Sequence, residues 1–175
     1  MAIERFGLIK FSGNDVTVIG PDIKVGQKAP EFTVATQAWL PFNALLETKG
    51  KVRIIGSLPS LSTSVCDRET RRFNQEASEL NDQIVILTVS MDLPYTIKNW
   101  CAAAGVDRVI TLSDHKNAEF GQKYGVLIKE HRVFRRAAFV IDRNDVVVYA
   151  EYMPAIGDEP NYPEVLKAAT LALEQ

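Results

Sequence analysis

The run Ile84-Val85-Ile86-Leu87-Thr88-Val89-Ser90 limits the possible folds more than any other stretch of this chain. It is almost wholly β-branched or aliphatic and lacks the apolar–polar alternation of a strand with one wet face. Such a run suits a strand covered on both sides, as in a parallel sheet with helical crossovers. Val52-Arg53-Ile54-Ile55-Gly56-Ser57-Leu58, opened by Lys49-Gly50-Lys51, is a second central strand. Between the two, Asp67 to Leu80 is rich in charge, with Phe73, Ala77 and Leu80 spaced as one helical face. The centre of the chain therefore reads as strand, helix, strand.

The flanks extend this pattern. Residues 5–10 and 16–19 enclose Ser12-Gly13-Asn14-Asp15, which predicts an N-terminal hairpin. Pro21 to Pro30 is a connecting loop, Glu31 to Ala35 a short strand, and Ala38 to Leu46 a weak, one-turn helical piece. Asp92-Leu93-Pro94 starts a helix that carries Cys101 late and stops at Gly105. Val109 to Leu112 is the next strand, and Asn117 to Tyr124 a helix ended by Gly125. Arg136 to Ile141 and Val146 to Ala150 flank a second hairpin turn, and Pro163 to Leu173 is a final amphipathic helix. The order implies an α/β protein with a mixed central sheet and helices on both faces, in a thioredoxin-like pattern. Residues 1–175 are expected to form a single domain, with 1–20 an added hairpin.

Composition narrows the class of function. The 175 residues are 46% hydrophobic and 24% charged, ordinary for a globular chain, and the net charge of -2 offers no basic surface for nucleic acid. No apolar run reaches the ~20 residues needed to span a bilayer. The opening Met1-Ala2-Ile3-Glu4-Arg5-Phe6 lacks a signal-peptide layout, so a cytoplasmic location is expected. No phosphate-binding glycine loop and no metal-ligand spacing is present, and no cofactor or metal is expected. His115 and His131 have no partner pattern and read as surface residues; Asp114 and Asp142 read as turn residues. The chain holds two cysteines, too few for a disulfide scaffold and too far apart for CxxC chemistry. They are either inert core residues or a working pair.

Chemistry concentrates at Pro59-Ser60-Leu61-Ser62-Thr63-Ser64-Val65-Cys66, which joins a strand to a helix. Cys66 falls in the first helical turn, where free N–H groups and the positive end of the helix dipole favour thiolate, the nucleophilic form. Thr63, three residues earlier, can bring its hydroxyl to the sulfur across one turn, or can act only as the helix N-cap. Pro59 fixes φ and removes an N–H, shaping the loop. Arg136, at the start of a core strand, is the candidate cation, although Arg135-Arg136 also fits a solvated basic edge. Trp100, Leu58, Leu61, Val65 and Leu127 are candidates for an apolar collar or part of a subunit contact.

Pro59-x-x-x-Thr63-x-x-Cys66 resembles the peroxidatic signature of peroxiredoxins, and the loop around it is similar to the thiol peroxidase branch, the atypical two-cysteine type. Arg72-Phe73-Asn74, Asp92-Leu93-Pro94, Val109 to Ser113, Asn117 to Phe120 and Tyr124-Gly125-Val126 extend the resemblance over the chain. The resemblance implies that Cys66 is the peroxidatic cysteine and Cys101 the resolving one, with Thr63, Arg136 and Pro59 completing the pocket. It implies reduction of hydrogen peroxide and organic hydroperoxides through a sulfenic acid and a Cys66–Cys101 disulfide, recycled by thioredoxin. It also implies a homodimer, and no role for nucleic acid or membrane. Ser62 departs from the branch, which commonly has aspartate there; the serine drops a charge. A thioredoxin-fold redox switch without turnover is the competing reading, while a thiol–disulfide oxidoreductase is weakened by the missing CxxC.

Overall fold

The computed structural model describes residues 2–77 and 79–175. Met1 of the expected N-terminal segment and Ser78 of the helix expected over 67–80 lie outside the described residues. The chain runs β1 (Glu4–Phe11), β2 (Asn14–Ile19), β3 (Thr33–Ala35), β4 (Pro41–Asn43), α1 (Ala44–Glu47), β5 (Val52–Ser57), α2 (Ser64–Ala77) and β6 (Ile84–Ser90). It continues through α3 (Pro94–Ala104), β7 (Ile110–Ser113), α4 (Glu119–Lys123), β8 (Leu127–Ile128), β9 (Val133–Phe134), β10 (Ala137–Ile141), β11 (Val147–Tyr152) and α5 (Tyr162–Leu173).

The expected mixed central sheet has the order β11-β10-β5-β6-β7-β3-β4. Its middle, β5-β6-β7, is parallel, and β10 returns antiparallel against β5. Every residue of β5 is buried, as a strand covered on both faces requires. One core cluster, on one face, includes Ile55, Leu87, Leu112, Phe120 and Phe139; a second includes Ile54, Ile86, Val140, Val165 and Ala169, which brings in α5. Arg53 survives in this strand because its guanidinium is saturated: it donates to Thr48 Oγ1 at 2.7 Å, Asp142 O at 2.9 Å and Leu45 O at 2.8 Å, and pairs with Asp145.

Three stretches differ from expectation. The weak helical piece over 38–46 is the strand β4 followed by the single turn α1; short range and few apolar residues gave it no readable period. Strands β8 and β9 were not foreseen at all. They pair with the N-terminal hairpin into a second, four-stranded sheet, β1-β2-β8-β9, whose core holds Ile9, Val16, Val18 and Ile128. Two-residue strands carry no periodicity, and only the partner strand defines them. Third, α2 begins at Ser64 and ends at Ala77, so Leu80 lies beyond it.

Topology decides what meets the C-terminal end of β5. Because β10 runs opposite to β5, with Ala137 across from Ser57, the residue entering β10 stands beside the loop that leaves β5. That residue is Arg136, and that loop leads to Cys66.

Candidate active site

Cys66 is the third residue of α2 and is fully buried. Thr63 stands just before the helix, and its Oγ1 accepts the Cys66 N–H at 3.2 Å. This is N-cap geometry, the plainer of the two roles expected for Thr63; the side chain is nonetheless exposed beside the cysteine turn. One turn further on, the Thr70 hydroxyl donates to the Cys66 carbonyl at 2.9 Å.

Arg136 Nη2 donates to Cys66 Sγ at 3.1 Å, and Nη1 is paired with Glu69 Oε2. Both side chains are buried, which removes the reading of Arg136 as part of a solvated edge. Arg135 is buried as well, on the other side of the strand: it donates to Gly125 O, pairs with Asp22 and stacks 4.1 Å over the Tyr152 ring. Burial opposes charge on Arg136, but the Glu69 carboxylate and the Cys66 sulfur more than offset it and hold its pKa above the ordinary arginine value. At Glu69 the balance is reversed. Desolvation outweighs the attraction of Arg136 and pushes the carboxyl up to about 7.

Glu69 was not among the residues singled out from the sequence. A signal was present: Cys66, Glu69, Thr70 and Phe73 share the buried stripe of α2, and a carboxylate within an apolar stripe requires a partner. Asp92, which reads in the sequence as a helix start and as part of the Asp92-Leu93-Pro94 likeness, also braces the cysteine loop. Its Oδ1 accepts Ser60 Oγ at 2.7 Å, and Oδ2 accepts the Leu61 N–H and Ser90 Oγ at 2.9 Å each. The loop, which has serine at position 62, thus takes its carboxylate partner from the far end of β6. Pro59 is buried where the chain leaves β5, and Ser62 is exposed with its N–H on Ser60 Oγ.

Cys66 and Cys101 lie in one small cluster with Leu58, Leu61, Ile97 and the partly buried Trp100; both thiols are free. Leu127 does not belong to the collar. It sits on β8 in the main core, and Val65 also stays outside the cluster, while Ile97 takes part unforeseen. Two contacts tie the first turns of α2 to the last turns of α3: Trp100 Nε1 donates to Asp67 Oδ1 at 3.0 Å, and Arg71 Nη1 to Ala104 O at 3.1 Å. An open depression above the cysteine turn is lined by Leu61, Ser62, Thr63, Ser64, Asp67, Arg68 and Trp100.

The remaining polar candidates fall away from this site. His131 is exposed and stacked on Phe11, as expected for a surface residue, whereas His115 is half-buried with Nδ1 2.9 Å from Ser113 Oγ. Asp142 caps its turn, accepting the Asn144 and Val146 N–H groups. Asp114 is more than a turn residue: it is buried, accepts the N–H groups of Glu119 and Gly121, and is pushed up to about 7 by desolvation. Among the described residues no helix is long and apolar enough to cross a membrane.

A thiol at a helix start, gripped by a buried guanidinium and neighboured by a second free thiol, is equipped for nucleophilic redox chemistry. Comparison with known proteins agrees. Residues 24–166 match the Redoxin family. A thiol peroxidase of Oceanobacillus iheyensis is 51% identical over 158 residues, 90% of this chain and 95% of its own length. The thiol peroxidase of Bacillus subtilis is 48% identical, over 92% of this chain and 95% of its own. The crystal structure of a peroxiredoxin-like protein from Aquifex aeolicus superposes with a TM-score of 0.85 at 36% identity, covering 94% of this chain and 96% of the other. With the site and these likenesses together, the chain belongs to the redoxin family and, within it, is a thiol-dependent peroxidase of the thioredoxin-like peroxiredoxin fold.

Proposed function

We propose that Cys66 is the peroxidatic cysteine, Cys101 the resolving cysteine, and Thr63, Arg136 and Pro59 the rest of the peroxide pocket. The observation that carries this is the 3.1 Å hydrogen bond from Arg136 Nη2 to Cys66 Sγ, which sets a fixed positive charge on one thiol and not on the other. Cys66 thiolate attacks the nearer peroxide oxygen; the O–O bond breaks, water or alcohol leaves, and a sulfenic acid remains. Arg136 is placed to stabilise the charge passing from sulfur to oxygen, and the Thr63 hydroxyl to donate to one peroxide oxygen while accepting from the other. Cys101 then closes the disulfide, and a dithiol of the thioredoxin kind reopens it by exchange.

Alkylation-trapped mass spectrometry tests the assignment. One equivalent of peroxide is expected to link residues 66 and 101 in the wild type, and to leave a sulfenic acid on Cys66 in Cys101→Ser. Oxidation confined to Cys101, or a dimer linked through Cys66, would overturn it. Multiple turnovers with thioredoxin, its reductase and NADPH are expected of the wild type.

Thr63 carries two roles that one substitution separates. Thr63→Asn keeps a cap, so its stability is expected within about 0.5 kcal/mol of wild type, against a loss of about 1 kcal/mol for Thr63→Ala. Both variants are expected to lose peroxide rate, because neither presents a hydroxyl. A rate retained in Thr63→Asn would reduce Thr63 to a cap.

Cys66 exposes no surface, so we expect the cysteine turn to open before a peroxide reaches it. The last turn of α3 carries little side-chain packing. Ala102, Ala103 and Gly105 are exposed, and Gly105, at φ 69, ends the helix with its N–H on the Cys101 carbonyl. We expect both cysteine-bearing turns to unwind during the cycle, seen as weak hydrogen-exchange protection at 61–66 and 100–105 in at least one redox state. Uniform strong protection in both states would exclude it.

The whole chain is taken to work as one unit, as a homodimer in a reducing compartment such as the cytoplasm. Each active site is taken to be complete within one chain, as the family resemblance implies. Sedimentation at micromolar concentration checks the assembly.

A further inference from the structure

The second thiol has a polar shell of its own. Cys101 lies 6% exposed in α3, and its Sγ is 3.2 Å from the Thr111 hydroxyl on β7. That hydroxyl in turn accepts Gln37 Nε2 at 2.9 Å, from the turn between β3 and β4. The hydroxyl can accept from the Cys101 thiol or donate to its sulfur, and it donates once that sulfur is a thiolate. The Gln37 amide supplies an N–H and fills one lone pair of Thr111 Oγ1. The hydroxyl proton is then free to point at Cys101 Sγ.

We propose that Thr111 assists disulfide closure by donating a hydrogen bond from its hydroxyl to Cys101 Sγ as that sulfur becomes the attacking thiolate, and that Gln37 is the positioning residue that fixes the hydroxyl. The proposal rests on the assignment of Cys101 as the resolving thiol. In closure, the Cys101 sulfur forms a bond to the Cys66 sulfur and the S–O bond of the sulfenic acid breaks. The hydroxide leaves with that electron pair and takes up the proton given by the Cys101 thiol, making water. One sulfur is oxidised and the other reduced, so no outside oxidant is needed.

The attacking group must be a thiolate, and its surroundings disfavour one. Burial pushes the Cys101 thiol above the ordinary cysteine value, and the groups that pull it back are Thr111 and Gln37. No neighbouring charge does so. Strands β6 and β7 and the turn 36–40 carry no ionisable side chain. On α3, Tyr95 and Lys98 are exposed; on α2, Asp67 is occupied by Trp100 and Arg71, and Cys66 faces Arg136. A hydrogen bond to the charged form strengthens as the charge develops, whereas a mere latch on α3 would have to break before closure. The two predict opposite signs.

The test uses Cys66→Ser, in which Cys101 is the only thiol, titrated by ultraviolet thiolate absorbance with and without Thr111→Val. The midpoint is expected to rise by about one pH unit, with Thr111→Ser restoring it and Gln37→Leu shifting it less in the same sense. With Cys66 present, Thr111→Val is expected to slow disulfide closure about threefold at neutral pH. The thiolate fraction falls about tenfold, but a more basic thiolate is the better nucleophile. The loss falls on closure and not on the preceding attack by Cys66, which stopped-flow tryptophan fluorescence separates. An unmoved midpoint in Thr111→Val, or faster closure, overturns the proposal. A wild-type protein that never forms the bond overturns the underlying assignment instead, and the titration of the lone thiol still reads whether the hydroxyl acts on Cys101.

Discussion

Arg136→Met is expected to slow oxidation of Cys66 by about a hundredfold or more and to destabilise the fold by about 3 kcal/mol at alkaline pH. The rate loss follows from geometry: Nη2 is the cation on the sulfur, and methionine keeps the volume while removing every donor. Removing one preorganised donor from a developing anion costs on the order of a hundredfold to a thousandfold in characterised enzymes. The stability loss follows from what remains. Glu69 is as deeply buried as Arg136, its Oε1 already has no hydrogen-bond partner, and the substitution strips its other oxygen. The unfolding penalty should therefore shrink as pH falls and Glu69 takes a proton. Adding Glu69→Gln to Arg136→Met should recover stability without recovering rate. Stopped-flow oxidation and urea denaturation at two pH values read the two parts separately. Arg136→Lys is expected to rescue little, because an ammonium cannot reach carboxylate and sulfur with a rigid fork.

Glu69 gives the protein a stability that depends on pH in an unusual sense for a paired carboxylate. Its folded-state pKa is raised from 4.5 to about 7, so between these values the folded chain binds a proton that the unfolded chain releases. Its contribution is fully present below about pH 4.5 and is lost as pH rises through about 7. At 1.36 kcal/mol per unit, the difference across that window is up to about 3 kcal/mol. Glu69→Gln should remove this slope, so the gap between variant and wild type in urea unfolding should change across pH 5 to 8 in the variant's favour. A pH-independent gap would show that Arg136 holds Glu69 ionised throughout. The same proton bears on chemistry, since a neutral Glu69 leaves the guanidinium charge undivided on Cys66.

Much of this is legible in the sequence. The two apolar runs at 52–58 and 84–90 carry enough burial to specify central parallel strands, and Pro94 and Gly105 bracket α3 where the helix starts and stops. Cys66 and Arg136 could be paired because one lies at a strand-to-helix junction and the other at a strand entrance. What escaped was whatever depends on a partner distant in sequence. Leu127 reads as a candidate for the apolar collar or a subunit contact, but its place on β8 is set by pairing with Ile19, which no local pattern reveals. Glu69 escaped because it lies in a charge-rich segment, and only its place in the helical turn sets it on the buried face. Gln37 and Thr111 look like ordinary strand and turn residues until the sheet sets them against α3.

The two arginines at the entrance to β10 leave the strand toward opposite sides, as successive residues must. Arg135 reaches Asp22, which Arg5 of the first strand also holds, while Arg136 reaches the sulfur. A single peptide unit therefore joins the mooring of the amino-terminal ribbon to the electrostatics of the reacting atom. Loosening that ribbon at Asp22 is therefore expected to slacken the Arg136 contact with the cysteine, with the small outer sheet acting through that one peptide unit.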